Sequence, residues 1–197
     1  MLEGMDGGLV AASVGPYGAA LADGSEYRGR YGLSVPALRD WHRPRLEVLA
    51  DACPDLLALE TVPDADEGEA LAGAVAGLGV PAWLSYTVAG DRTRAGQPLA
   101  EAFAVAAAVD EIVAVGVNCC APEDVGPAVA LAREVTGKPA VAYPNSGEGW
   151  DGRGWTGGSR FRPVDAAGWI AAGAGIVAGC CRVSPADIAA LSRAIRG

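Results

Sequence analysis

The stretches Gly116-Val117-Asn118-Cys119-Cys120 and Gly179-Cys180-Cys181 decide how this chain is expected to fold. Each follows an apolar run typical of a buried β-strand, at residues 112–117 and 176–178. Cys119 and Cys180 lie 61 positions apart, and one βα unit takes roughly 30 residues. The two strands are therefore expected in one parallel sheet with a single strand between them. That arrangement brings the cysteines together at one edge of the sheet.

Apolar runs at a similar spacing occur along the whole chain. Apolar runs without alternation are typical of parallel strands that are covered on both faces. They occur at residues 9–14, 56–59, 82–88, 112–117, 140–143 and 176–178, with helical patterns between them. This predicts an α/β fold of the (β/α)8 TIM-barrel type. A closed barrel needs eight strands and about 250 residues, so 197 residues predict an open parallel sheet or an incomplete barrel of about six units.

Local signals predict how the elements begin. Ser34 and Pro36 are expected to start one helix, and Asp64 with Glu67 forms a capping-box pattern for the next. Residues 17–32 contain four glycines and three tyrosines, which predicts a long loop, and such loops are usually functional.

Composition excludes several function classes. The net charge of −9 and the sequence pI of about 4.6 argue against nucleic acid and anionic membranes as partners. No apolar run approaches the roughly 18 residues of a membrane helix, and no signal peptide is visible, so a cytoplasmic protein is expected. Five cysteines, four of them in two adjacent pairs, indicate metal binding or catalysis rather than a disulfide framework.

In a βα barrel the carboxyl ends of the strands build the active site. Three thiolates would bind Zn²⁺ and leave a fourth tetrahedral position open, as in catalytic sites. The alternative is that these are buried free cysteines, which pack as small hydrophobic side chains. Cys120 is expected to point away and is not counted as a ligand. The candidates at strand ends are Gly15, Glu60, Tyr86, Asn118, Cys119, Tyr143, Asn145, Cys180 and Cys181. Substrate contacts are expected from Gly15, Glu60, Tyr86, Asn118 and Asn145.

Other polar and aromatic residues allow two interpretations each. Glu60 follows an apolar run, so a substrate ammonium or a neighbouring arginine would have to partner it. His42, the only histidine, is expected on a helix in a surface or packing role. Trp150 and Trp155 lie among glycines and either line a pocket or fix their own loop.

Short motifs over essentially the whole chain resemble those of the homocysteine S-methyltransferases. The cysteine motifs at residues 116–119 and 178–181 are the most diagnostic. The matching segments are Ser13-Val-Gly-Pro-Tyr-Gly18, Tyr27-Arg-Gly-Arg-Tyr-Gly32, Trp41-His-Arg-Pro-Arg-Leu46, Leu59-Glu-Thr-Val-Pro63, Gly116-Val-Asn-Cys119, Tyr143-Pro-Asn-Ser-Gly147 and Ala178-Gly-Cys-Cys181.

The resemblance implies a zinc-binding (β/α)8 barrel with Cys119, Cys180 and Cys181 as the zinc ligands and Glu60 on the homocysteine amino group. It implies methyl transfer from a sulfonium donor, S-methylmethionine or S-adenosylmethionine, to the zinc-bound homocysteine thiolate, which forms methionine.

The resemblance also implies that residues 1–197 are a single homocysteine-binding domain without the first two βα units. Asp6-Gly7-Gly8 resembles the family's first-strand motif only by chance on this alignment. Two hypotheses follow: a homocysteine methyltransferase, or a non-catalytic or weakly active zinc-binding remnant that self-associates at its open edges.

Overall fold

A six-stranded parallel sheet forms the centre of the structure. The computed structural model describes residues 7–196. Its strands are β1 (Ala11–Val14), β2 (Leu56–Val62), β3 (Ala82–Tyr86), β4 (Val88–Ala89), β5 (Arg92–Thr93), β6 (Ile112–Asn118), β7 (Ala140–Tyr143), β8 (Gly149–Trp150), β9 (Trp155–Thr156) and β10 (Ala174–Val177). The parallel sheet has the order β1-β2-β3-β6-β7-β10, and β4–β5 and β8–β9 form two small antiparallel hairpins.

Helices follow the strands and cover the sheet. They are α1 (Tyr17–Leu21), α2 (Val35–Asp51), α3 (Ala65–Val75), α4 (Leu99–Ala104), α5 (Pro122–Thr136), α6 (Ala166–Ala171) and α7 (Pro185–Arg196). The core lies between the sheet and these helices, where side chains such as Leu59, Leu84 and Val117 are fully buried. The predicted α/β fold with six parallel strands is confirmed.

The order of the strands also confirms the spacing argument. Strand β7 lies between β6 and β10 and pairs in parallel with both. Cys119 follows β6 and Cys180 follows β10, so both cysteines lie at the carboxyl edge of the sheet, one strand apart.

The segment between β1 and α2 differs from the predicted loop. It contains α1 and a 3₁₀ turn at Ser25–Tyr27. The two turns pack closely at Gly18, where an added Cβ would lie 2.5 Å from the backbone nitrogen of Glu26. The sequence analysis missed this because five helical residues are too few for a periodic pattern.

The capping-box prediction is half wrong. The side chain of Asp64 caps α3 by accepting a hydrogen bond from the backbone nitrogen of Asp66 at 3.1 Å. The side chain of Glu67 does not accept a hydrogen bond from the backbone nitrogen of Asp64, as a capping box requires. Its carboxylate is fully buried and accepts hydrogen bonds from the Tyr17 backbone nitrogen and His42 Nε2. The polar group that the pattern assigned to a cap instead joins α3 to α2 and to the β1–α2 segment.

Both edges of the parallel sheet are open within residues 7–196. Strands β1 and β10 each pair on one side only. Side chains near these edges are exposed, 74% for Leu9 and 38% for Ile176. Asp6, which opens the segment resembling a first-strand motif, lies outside the described residues.

Between residues 7 and 196 no helix has both the length and the apolar character to cross a membrane.

Candidate metal centre and active site

Three cysteine sulfurs converge at the carboxyl edge of the sheet. The Sγ atoms of Cys119, Cys180 and Cys181 all lie within 4.8 Å of one another, and those of Cys119 and Cys181 are 3.7 Å apart. Two thiolates at about 2.3 Å from a tetrahedral zinc ion would be about 3.8 Å apart. The donor set and its spacing therefore fit zinc, with three protein ligands and a fourth position for another sulfur.

The sulfurs also perturb one another electrostatically. Hydrogen bonds from Cys119 and Cys180 lower the pKa of Cys181, whereas the hydrogen bond with Cys119 raises the pKa of Cys180. The three groups thus share negative charge unequally, because one thiolate can be stabilised by its neighbours only while they keep their protons. A divalent cation removes this conflict, since it stabilises all three thiolates together.

The loop after β7 fixes the spacing between the two cysteine motifs. The backbone nitrogen of Cys180 donates to the carbonyl oxygen of Pro144 at 2.7 Å, and the nitrogen of Cys181 donates to Asn145 Oδ1 at 3.1 Å. On the other side, the nitrogen of Asn145 donates to the carbonyl oxygen of Cys120 at 2.9 Å. Asn145 therefore links both motifs, a positioning contact that the sequence did not reveal.

Cys120 is directed away from the cluster. It is 1% exposed and belongs to the hydrophobic core between sheet and helices. Burial raises the pKa of its thiol. Cys119 thus faces the sulfur cluster and Cys120 the core, as the sequence predicts.

Asn118 supports the strand end that carries Cys119. Its Oδ1 accepts from the Thr61 nitrogen at 2.7 Å and from Ser85 Oγ at 2.8 Å, and its Nδ2 donates to Thr61 Oγ1 at 2.7 Å. Thr61 and Cys119 both have left-handed backbones, with φ of 60° and 50°. This conformation is unfavourable for a β-branched residue such as Thr61, and the two hydrogen bonds between Asn118 and Thr61 hold Thr61 in it.

Glu60 lies on β2 in a polar network. One carboxylate oxygen accepts from Ser13 Oγ and the other from the Tyr143 hydroxyl at 2.9 Å. In the described part of the chain its partners are thus hydroxyls, not the arginine that the sequence left open. Burial and the nearby Glu60 raise the pKa of Tyr143, so this hydroxyl stays protonated and donates. A carboxylate has about four acceptor positions, which leaves room for a substrate ammonium.

The structure does not bring Tyr86 to this site. Its side chain is fully buried, its hydroxyl donates to the carbonyl oxygen of Ala102 at 2.9 Å, and its ring packs on Phe103. Tyr86 therefore lies on the face of the sheet that the helices cover. This placement does not support the predicted contact of Tyr86 with substrate. Position at a strand end did not reveal which face the side chain occupies. Gly15, also predicted, lies after β1, where its carbonyl oxygen accepts from Arg45.

A cavity of about 630 Å³ adjoins the sulfur cluster. Cys119 and Cys181 form part of its wall, and the Tyr27 hydroxyl lies 3.3 Å from Cys119 Sγ. The sequence analysis did not single out Arg94 and Glu148, which also line it. The cavity is lined by Tyr27, Arg94, Cys119, Asn145, Glu148, Trp150, Trp155 and Cys181.

A buried hydrogen-bond network supports the segment that carries Tyr27. Glu67 Oε1 lies 2.9 Å from His42 Nε2, Glu67 Oε2 accepts from the Tyr31 hydroxyl at 3.2 Å, and Arg45 lies 2.9 Å from His42 Nδ1. With the contact of the Tyr17 nitrogen, both ends of the segment are bound to Glu67 on α3, and His42 joins Glu67 to α2. His42 therefore has the packing role that the sequence favoured.

We expect Glu67→Gln to lower the free energy of unfolding by about 2 kcal/mol. The amide keeps the size of the side chain but loses the charge and one acceptor, which leaves a buried donor without its partner. Urea unfolding followed by circular dichroism measures the effect. Glu69→Gln on the exposed face of the same helix is the control, and an equal loss there would contradict the role of the network.

Comparison with known proteins identifies the family. The model of the family described as homocysteine S-methyltransferase matches residues 3–195. The chain is 46% identical to homocysteine S-methyltransferase 4 of Zea mays over 95% of its length. It is 47% identical to the homocysteine S-methyltransferase of Escherichia coli over 93% of its length.

A solved structure agrees with the sequence matches. The metallated form of the homocysteine methyltransferase MmuM from Escherichia coli superimposes with a TM-score of 0.82 at 44% identity, covering 96% of this chain and 61% of that one. The chain spans 58% of the maize relative's length and 61% of that of the Escherichia coli relative. It belongs to the homocysteine S-methyltransferase family.

Proposed function

We propose that this chain transfers a methyl group from a sulfonium donor to homocysteine, forming methionine, with zinc held by Cys119, Cys180 and Cys181. The observation that carries the proposal is the three-sulfur cluster, which opens onto a cavity large enough for a small-molecule substrate. The family's name and the metallated state of the Escherichia coli relative support it.

The chemistry needs a thiolate and an electrophilic methyl group held in line. Cys119, Cys180 and Cys181 would hold the zinc ion, which would lower the pKa of a fourth sulfur ligand and so supply homocysteine as a thiolate. The thiolate sulfur forms a bond to the methyl carbon while the carbon–sulfonium bond breaks. The electron pair of that bond goes to the leaving thioether, and no general base is required.

Residues of the chain supply orientation. Glu60 offers free acceptor positions for the homocysteine ammonium. The hydroxyls of Ser13 and Tyr143 hold the Glu60 carboxylate in place. Asn118 and Asn145 hold the strand ends and the backbone of the cysteine motifs, and Asn145 also lies in the cavity wall, where it can contact substrate. Holding two reactants in line contributes a large part of the rate enhancement in such displacements.

Several further expectations belong to the same proposal. Residues 1–197 act as one homocysteine-binding domain in the cytoplasm. The donor is S-methylmethionine or S-adenosylmethionine, which share an α-amino acid and a sulfonium centre. The open edges at β1 and β10 allow self-association, because an unpaired strand offers backbone donors and acceptors to another chain.

The test combines metal analysis with product formation. Protein purified under reducing conditions is analysed for zinc and then supplied with isotopically labelled homocysteine and either donor. The label is needed because S-methylmethionine itself yields methionine. We expect about one zinc per chain and labelled methionine.

Two outcomes would contradict the proposal in different ways. Folded protein without zinc would remove the three-cysteine site. Zinc without labelled methionine from either donor would favour the non-catalytic remnant. That alternative is not favoured at present, because the cluster is intact and enzymes match nearly the whole chain.

A further inference from the structure

Two tryptophans face each other across a hairpin beside the metal centre. Strands β8 and β9 pair Trp150 directly with Trp155, and their rings lie 5.4 Å apart at 62°. The side chains remain 59% and 42% exposed. Both line the cavity that Cys119 and Cys181 also line. The mechanism above does not use these residues, although aromatic side chains are typical of the walls of ligand pockets.

We propose that this tryptophan hairpin (residues 149–156) and Tyr27 bind the sulfonium centre of the methyl donor. The inference rests on the proposed function and assigns its donor subsite. A sulfonium carries a full positive charge, and the faces of aromatic rings attract cations within about 6 Å. Tyr27 lines the same cavity and contacts Cys119. A cation held among the three rings would therefore lie beside the sulfur cluster.

The surroundings of Trp155 are consistent with cation binding. The guanidinium of Arg182 lies 5.8 Å from the centre of the Trp155 ring, and Arg182 Nε donates to Glu148 Oε2 at 3.0 Å. That pairing, with the hydrogen bond from Ser146, lowers the pKa of Glu148, so a carboxylate stands in the cavity wall. Arg94, in the same wall, offers a partner for the donor's α-carboxylate, which both candidate donors possess.

The charge of the donor changes during the reaction, so the subsite binds donor and product differently. The donor enters as a cation and leaves as a neutral thioether, because the electron pair of the broken bond returns to its sulfur. The attraction to the rings therefore exists for the donor and disappears for the product. The aromatic subsite favours donor binding and product release together.

Calorimetric titration without homocysteine tests the inference apart from chemistry. S-methylmethionine is the charged probe and methionine its neutral counterpart. We expect Trp155→Leu to weaken binding of S-methylmethionine about tenfold and to change that of methionine less than twofold. Trp155→Phe, which keeps a ring face, should remain within about threefold of the wild type. Equal losses for both ligands, or no loss for the charged one, would overturn the inference.

Steady-state kinetics separate this inference from the proposed function. We expect the donor KM of Trp155→Leu to rise about tenfold while the homocysteine KM stays within twofold. If binding depends on charge but no methyl transfer occurs, the donor subsite is supported and the methyltransferase function is rejected. If methyl transfer occurs but the donor KM of Trp155→Leu is unchanged, the function is supported and the donor subsite is rejected. Circular dichroism verifies that each variant is folded.

Discussion

Cys119→Ser is expected to abolish metal binding and, with it, methionine formation. The three sulfurs lie within 4.8 Å of one another, and a hydroxyl neither ionises near neutral pH nor suits zinc as a thiolate does. Zinc bound by thiolates in small domains contributes roughly 10–16 kcal/mol. Losing one of three sulfurs should therefore weaken binding by at least about 10³-fold.

The measurement is zinc content after dialysis against a weak chelator, together with product formation from labelled homocysteine. Cys120→Ala is the matched control, since Cys120 is the adjacent thiol but belongs to the core. It should retain about one zinc per chain and lose only modest stability. Retention of zinc by the Cys119 variant, or its loss from the Cys120 variant, would reject the ligand assignment.

Gly116→Ala is expected to give the largest loss of stability. Gly116 pairs with Ser85 on β3 and Val141 on β7 in the middle of the sheet. An added Cβ would lie 1.9 Å from the carbonyl oxygen of Val141, a backbone atom that cannot move without breaking the pairing. Because Asn118 and Cys119 follow on the same strand, we expect a loss of about 3 kcal/mol or more and weaker zinc binding.

Gly168→Ala provides the comparison for this substitution. Gly168 lies within α6, and a Cβ there meets no atom within 4 Å. Alanine is favoured over glycine in helices by about 0.5–1 kcal/mol, so this variant should be as stable as the wild type or more stable. Urea unfolding of both proteins measures the difference. Equal stabilities would mean that the sheet accommodates the methyl group at Gly116.

The sequence predicts the sheet and the convergence of the cysteines because both depend on spacing along the chain. Apolar runs at βα intervals determine parallel strands, and the interval between Cys119 and Cys180 determines that one strand separates them. The same reasoning separates Cys119 from Cys120, since adjacent side chains point to opposite faces. These features need no knowledge of long-range packing.

The remaining features depend on which face a side chain occupies after packing. Tyr86 ends a strand like Glu60, yet its ring lies between sheet and helix because Gly68 leaves it room. Glu67 matches a capping pattern but enters the core because Tyr17 and His42 supply its partners. The hairpin that joins Trp150 and Trp155 rests on two residues per strand, too few for a periodic signal.

The three-sulfur cluster joins an interior strand of the sheet to an edge strand. Strand β6 carries Cys119 and has partners on both sides, whereas β10 leads to Cys180 and Cys181 and in the described residues pairs only with β7. Backbone amides of an edge strand exchange with solvent through small local openings. Backbone amides of interior strands exchange only through global unfolding. A shared zinc ion would make each opening of β10 break two metal–sulfur bonds. Zinc should therefore slow hydrogen exchange at Ala174–Val177 far more than at Ile112–Asn118, and the ion should leave the folded protein by fraying of β10.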